Sequence, residues 1–212
     1  MKHSDRALIV SVWAVAAIMH GRTVKGADQT TQITMESTIN ACELLSISEI
    51  SLAVGRPASQ RAPNDAGFEA DGTYSSTCVW EIRPDSEAPR DPTAPLDGKS
   101  FVILNAIKWP EGRRLARRYL EAFRSAAVAG EISGVPTPKE FGEESLGWED
   151  GLAVSWHDVG FGVSVFLPGL SKAERVAIAE QLAPRVLMRL KNEALAEHRV
   201  GKLPTGIPDK FV

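Results

Sequence analysis

Between residues 145 and 167, three apolar-patterned runs (145–148, 152–157 and 161–167) are separated by Glu149-Asp150-Gly151 and Asp158-Val159-Gly160. Asp-Gly and short Gly-containing breaks between such runs are hairpin signals, because these residues accept the backbone that a tight turn requires. Two successive hairpins commit the chain to an antiparallel sheet. Such a sheet needs a cover, and the flanking segments supply amphipathic helices.

The first helix signal is Ser46 followed three residues later by Glu49, a capping box. Ile47, Ile50 and Val54 then share a face, and Gly55 and Pro57 stop the helix. Residues 58–76, rich in Gly, Asp, Asn and Ala, read as a loop. Residues 78–82 alternate as a strand. Residues 83–99, with four prolines, read as a long exposed connection. In the strand 101–109, Phe101, Ile103, Ile107 and Trp109 lie on one face and Val102, Leu104 and Lys108 on the other.

Pro110-Glu111 is expected to open a second helix, with Leu115, Tyr119, Ala122, Phe123 and Ala126 as its buried stripe and Gly130 at its end. Residues 131–140 read as another break. Ser171 with Glu174 is a second capping box, launching a helix through Val176, Ala179, Leu182, Val186 and Leu190 that Pro184 should kink or restart. The expected class is α+β: a mainly antiparallel sheet with helices packed on one face.

The start of the chain reads as an address. Lys2 and Arg6 precede the apolar run 7–19, in which Ser11 is the only polar side chain. As a helix that run is about 20 Å long, short of the ~30 Å hydrocarbon core. With a small-residue cut before Ala27, residues 1–26 are expected to be a secretory signal peptide. Residues 27–37 then form a flexible lead-in, 38–198 one α+β domain and 199–212 a C-terminal tail. The expected location is outside the cytoplasm, periplasmic or extracellular, with no transmembrane span after cleavage.

Export makes the cysteines informative. Cys42 and Cys78 are the only two, and a lone pair in an oxidising compartment is expected to form one structural disulfide. Ile39-Asn40-Ala41-Cys42 faintly resembles a lipobox, but about twenty polar residues separate it from the apolar run. No His stands at ligand spacing from either Cys, which argues against zinc.

The opening Cys42-Glu43-Leu44-Leu45, leading to Glu49 and Gly55, and the strand Cys78-Val79-Trp80 resemble an uncharacterised domain of actinobacterial secreted lipoproteins. In that family a Cys-x-Leu-Leu opening and short helix are followed by a Cys-x-Trp or Cys-x-Tyr strand. A Gly-rich hydrophobic meander and a final helix come later, and residues 141–190 look like that half. The resemblance covers about three quarters of the mature chain and implies a stapled α+β fold. It brings no reaction, and this chain departs from the family by lacking a lipobox, which puts the family's membrane anchoring in doubt here.

The formal net charge is −3, and losing residues 1–26 removes four basic residues but only one acid. Bulk positive charge for nucleic acid is therefore missing. Ser155, His157 and Asp158 invite a triad reading, but no nucleophile elbow or oxyanion motif accompanies them. A strand His near a hairpin is the better reading. Glu140, Glu143, Glu144, Glu149 and Asp150 lack calcium-loop spacing and read as solvated turns. No residue is assigned to catalysis, a metal or a cofactor.

Two features remain as candidate sites. Arg113, Arg114, Arg117 and Arg118 recur at helical spacing as a cationic ridge, which would dock an anionic surface or partner if it is more than a solvated face. Trp80, Trp109, Trp148 and Trp156 all fall in expected strands. They either pack the core or wall a ligand cleft between sheet and helix. The expectation is an exported, non-catalytic envelope or extracellular domain that binds a protein partner or small ligand. An envelope hydrolase with an unrecognised site is the alternative.

Overall fold

A computed structural model describes residues 38–200, except 62, 84–99, 111, 131–133 and 149; at 113 and 196–200 only the backbone is described. The expected signal peptide, lead-in, proline-rich connection and most of the tail lie outside the described residues.

The order is α1 (Ala41–Leu44), α2 (Ile47–Val54), β1 (Ala58–Gln60), β2 (Asn64–Phe68), β3 (Tyr74–Ile82), β4 (Ser100–Lys108), α3 (Arg113–Val128), β5 (Thr137–Lys139), β6 (Glu144–Trp148), β7 (Gly151–Trp156), β8 (Val159–Phe166) and α4 (Lys172–Val200). All eight strands join one antiparallel sheet in the order β1-β3-β4-β8-β7-β6-β5, with β2 also on β3. The α+β class is as expected. No described helix is long and apolar enough to cross a membrane.

The caps behave as their residues dictate. Ser46 and Glu49 close the reciprocal box on α2, and Gly55 ends it with a left-handed φ of 72°. Ser171 and Glu174 make the same pair of bonds ahead of α4. Helix α4 continues through Pro184, whose side chain is exposed. The helix is therefore not restarted at Pro184, whose ring lies on the solvent side where the lost N–H is best tolerated.

Residues 58–76, expected as a loop, instead contribute β1, β2 and the start of β3. Gln60 pairs with Trp80 and Asn64 with Thr77, so the two short strands share one edge of β3 end to end. Their side chains are mostly exposed, and an edge strand in water needs no apolar alternation. β5, in the break expected at 131–140, is likewise an edge strand and contains Pro138, which is tolerated only there.

One sheet face carries Trp80, Ile82, Val102, Leu104, Leu152, Val154, Phe161, Val163 and Val165. It packs against α1, α2 and α4, through Leu44, Ile50, Ala179, Leu182, Val186 and Leu190. Of the described helices, these three occupy the single face on which all were expected. Helix α3 takes the other face, where Leu120 and Phe123 meet Leu146 and Ala153. Its deepest residues are Ala116, Leu120, Phe123 and Ala126, while Leu115, Tyr119 and Ala122 are half-buried. The helix begins at Arg113 after Gly112, not at Pro110, and is turned from its expected orientation.

The reason lies in the sheet beneath it. Gly160 and Gly162 leave a trough on β8 that the Tyr119 side chain fills. A Cβ at Gly160 would sit 2.9 Å from the Trp109 ring and 3.0 Å from that of Tyr119. Gly160→Val is therefore expected to cost about 1–3 kcal/mol by overpacking. Urea denaturation checks this, and an unchanged midpoint would rule out the close approach. Burial also pushes the Tyr119 phenol well above its ordinary range.

Helices α2 and α4 are tied through Glu49. Arg189 donates to it at 2.7 Å and Arg185 at 3.4 Å, and Arg189 also donates to the Leu44 carbonyl at 2.7 Å. Burial alone would raise the Glu49 carboxyl. The Arg189 hydrogen bond, the Ser46 N–H and hydroxyl, and the Arg189 charge outweigh it and bring the pKa from 4.5 to about 2. A depressed folded pKa stabilises above the unfolded value, and the contribution is lost as pH falls from about 4.5 through about 2. Solvent screening keeps it near ~1 kcal/mol. Glu49→Gln should flatten that part of the stability–pH curve, and an unaltered acid limb would refute the linkage.

Candidate functional site

The strand register sets a transverse row at one end of the sheet. Phe68 pairs with Tyr74, Tyr74 with Lys108, Lys108 with Val159 and Val159 with Trp156, across β2, β3, β4, β8 and β7. Directly paired residues project to the same face, so these five side chains stand in line. Toward β7 the row runs into the core, where Val159 is buried. Toward β2 it opens, and Phe68 is 54% exposed.

Two turns and the exit of β4 raise walls around the open end. Glu69 N–H donates to Thr73 O, Gly72 N–H to Glu69 O, and Thr73 N–H to the Asp71 carboxylate at 2.9 Å. Gly72 has a φ of 82°, and a Cβ there would meet Pro110 Cγ at 3.0 Å. The other turn is His157-Asp158, between β7 and β8. Trp109 N–H donates to Asp158 O at 2.9 Å, which locks this turn to the end of β4.

Between these walls lies a cleft of about 190 Å³ lined by Phe68, Gly72, Tyr74, Lys108, Trp109, Pro110 and Asp158. The Phe68 and Tyr74 rings meet edge to face with centroids 4.8 Å apart. Lys108 Nζ lies 3.9 Å from Asp158 Oδ2. The cleft thus offers an apolar wall on one side and a facing donor and acceptor on the other. Such a site can hold and orient a small molecule.

Of the four tryptophans, only Trp109 reaches this cleft. Trp80 is wholly buried on the α4 side of the sheet. Trp156, on that same side, lies against His157 with ring centroids 4.2 Å apart. Trp109 and Trp148 belong to the α3 side, at the two ends of an aromatic chain through Tyr119 and Phe123 with steps of 5.7, 5.0 and 4.7 Å. The alternation of side chains along each strand divides them two and two.

On α3, Arg114, Arg117 and Arg118 are exposed, while the Arg113 side chain lies outside the described residues. Further along, Arg124 pairs with Glu144. The Ser155, His157 and Asp158 set does not assemble. Ser155 is fully buried, and its Oγ has no hydrogen-bond partner among the described residues. His157 leaves the strand with a φ of 54°, and its Nδ1 lies 3.1 Å from Glu143. Of the acidic set, Glu143 lies against His157 and Glu144 pairs with Arg124, while Glu149 lies outside the described residues. Among the described residues no three His, Cys, Asp or Glu side chains gather as metal ligands.

Sequence reading missed Phe68, Tyr74, Lys108 and Asp158 as a group. One local signal was available: Asp71-Gly72 is a turn dipeptide flanked by two aromatics, Phe68 and Tyr74. Cys42 and Cys78 are bonded, tying α1 to β3. Comparison with models of known families, with curated proteins and with solved structures returns no significant match to this chain.

Proposed function

We propose that this chain is an exported, disulfide-stapled domain that binds a small ligand at the open end of its sheet and carries out no reaction of its own. The observation that carries the reading is the cleft itself. Turns at both ends of the aromatic row meet there, and the backbone bond from Trp109 to Asp158 holds one wall to the other. Concave, pre-formed sites with a few convergent polar groups are the default binding sites of globular proteins. Binding is favoured over hydrolysis because the buried Ser155 hydroxyl bonds to neither His157 nor Asp158, so the triad that the sequence suggested does not form. The Cys42–Cys78 bridge supports maturation in an oxidising compartment, as does the leader-like pattern of residues 1–26.

Two measurements test this. The mass of the protein recovered outside the cytoplasm should match a chain lacking residues 1–26 and two hydrogen atoms lighter than its reduced form. An intact, reduced chain confined to the cytosol would refute export. A small-fragment screen by amide NMR should place its strongest perturbations at Gly72, Tyr74, Lys108 and Asp158. Perturbations confined to the α3 arginines would move the binding surface there instead.

A further inference from the structure

Resting on the reading of the cleft as a binding site, we propose that its ligand is a single neutral sugar ring, a pyranose laid with its apolar face on Phe68 and its hydroxyls toward Lys108 and Asp158. Three properties of the cleft converge on this chemistry. The first is size. A volume of about 190 Å³ falls below the roughly 300–1,000 Å³ of pockets that enclose drug-sized ligands, so one ring and its substituents fill it.

The second is charge. Lys108 and Asp158 face each other at 3.9 Å with side chains 23% and 39% exposed. The two groups carry opposite charges, so an anion drawn to Lys108 is repelled by Asp158, and a cation meets the reverse. A hydroxyl both donates and accepts. Two adjacent hydroxyls therefore satisfy the pair together, one accepting from the ammonium and the other donating to the carboxylate. Bonds to charged groups are the stronger class.

The third is the apolar wall. Phe68 keeps more than half its surface in water, yet it is fixed edge to face against Tyr74. An exposed, pre-oriented aromatic gains by covering its face with C–H groups, which the flat side of a pyranose presents. A planar aromatic ligand would also stack, but it would bring no paired hydroxyls to the Lys108–Asp158 side. Gly72 serves both features, because a side chain there would press on Pro110 and narrow the cleft.

The test uses the oxidised full chain, titrated with glucose and N-acetylglucosamine and, as charged controls, inorganic phosphate and choline, while amide NMR follows the cleft. Either saccharide is expected to shift Gly72, Tyr74, Lys108 and Asp158 in a saturable way. Phe68→Ala, at an exposed position, should weaken that binding about fivefold, and Asp158→Asn about tenfold. If only phosphate or choline shifts these amides, the sugar assignment is overturned and the cleft survives as a binding site. If none of the four does, both fall.

Discussion

Removing the Cys42–Cys78 bridge, by reduction or by the double substitution Cys42→Ala with Cys78→Ala, is expected to lower the unfolding free energy by about 4 kcal/mol. The two cysteines lie 36 residues apart, and the chain-entropy cost of closing a loop of that size gives the figure. Against a typical stability of about 5–15 kcal/mol the loss is large. Native contacts explain why little would compensate. Helix α1 has four residues, too few to persist without tertiary support. It is otherwise held by the Ala41 N–H bond to Ser76 Oγ at 2.9 Å, by the Arg189 bond to the Leu44 carbonyl and by Ala41 and Leu44 in the core. Urea denaturation with and without reductant provides the measurement. A shift below ~1 kcal/mol would mean that the reduced, unfolded chain retains the same proximity.

Replacing Trp80 by alanine should cost a comparable amount, about 3–5 kcal/mol. Trp80 is among the largest wholly buried side chains. It sits on β3 between Gln60 of β1 and Val102 of β4, in the core that α1, α2 and α4 close over. Deleting the indole removes its burial energy and leaves a cavity that the surrounding rigid sheet cannot fill. Trp80→Phe separates the contributions. The indole Nε1–H is buried with no hydrogen-bond partner among the described residues, so phenylalanine loses volume but also removes an unsatisfied donor. Its expected cost is about 1–2 kcal/mol. Equal losses for the two variants would show that the indole N–H is satisfied and that volume does not decide.

The elements legible in the sequence are those whose cause lies within a few residues. The Ser46–Glu49 and Ser171–Glu174 boxes need only a hydroxyl and a carboxylate three positions apart, and both form. The strands 144–148, 151–156 and 159–166 need only a periodic run bounded by turn residues. β1, β2 and β5 were not legible, because they are held by a neighbour's backbone and their own side chains face water. The cleft was not legible either. Phe68, Lys108 and Asp158 are brought together by strand register across β2, β3, β4 and β8, with no short motif joining them.

By itself, then, the sequence determined the caps, the hairpins and the pair of cysteines available for a bridge, because each is written in local spacing and side-chain chemistry. Only the tertiary structure decided the face on which α3 lies. That outcome depends on glycines at 160 and 162 admitting Tyr119, a fit between segments some forty residues apart in the chain. The same holds for the cleft. A row of side chains becomes a site when pairing between distant strands aligns it and two turns close its end, and the free energy of that alignment belongs to the packed sheet as a whole.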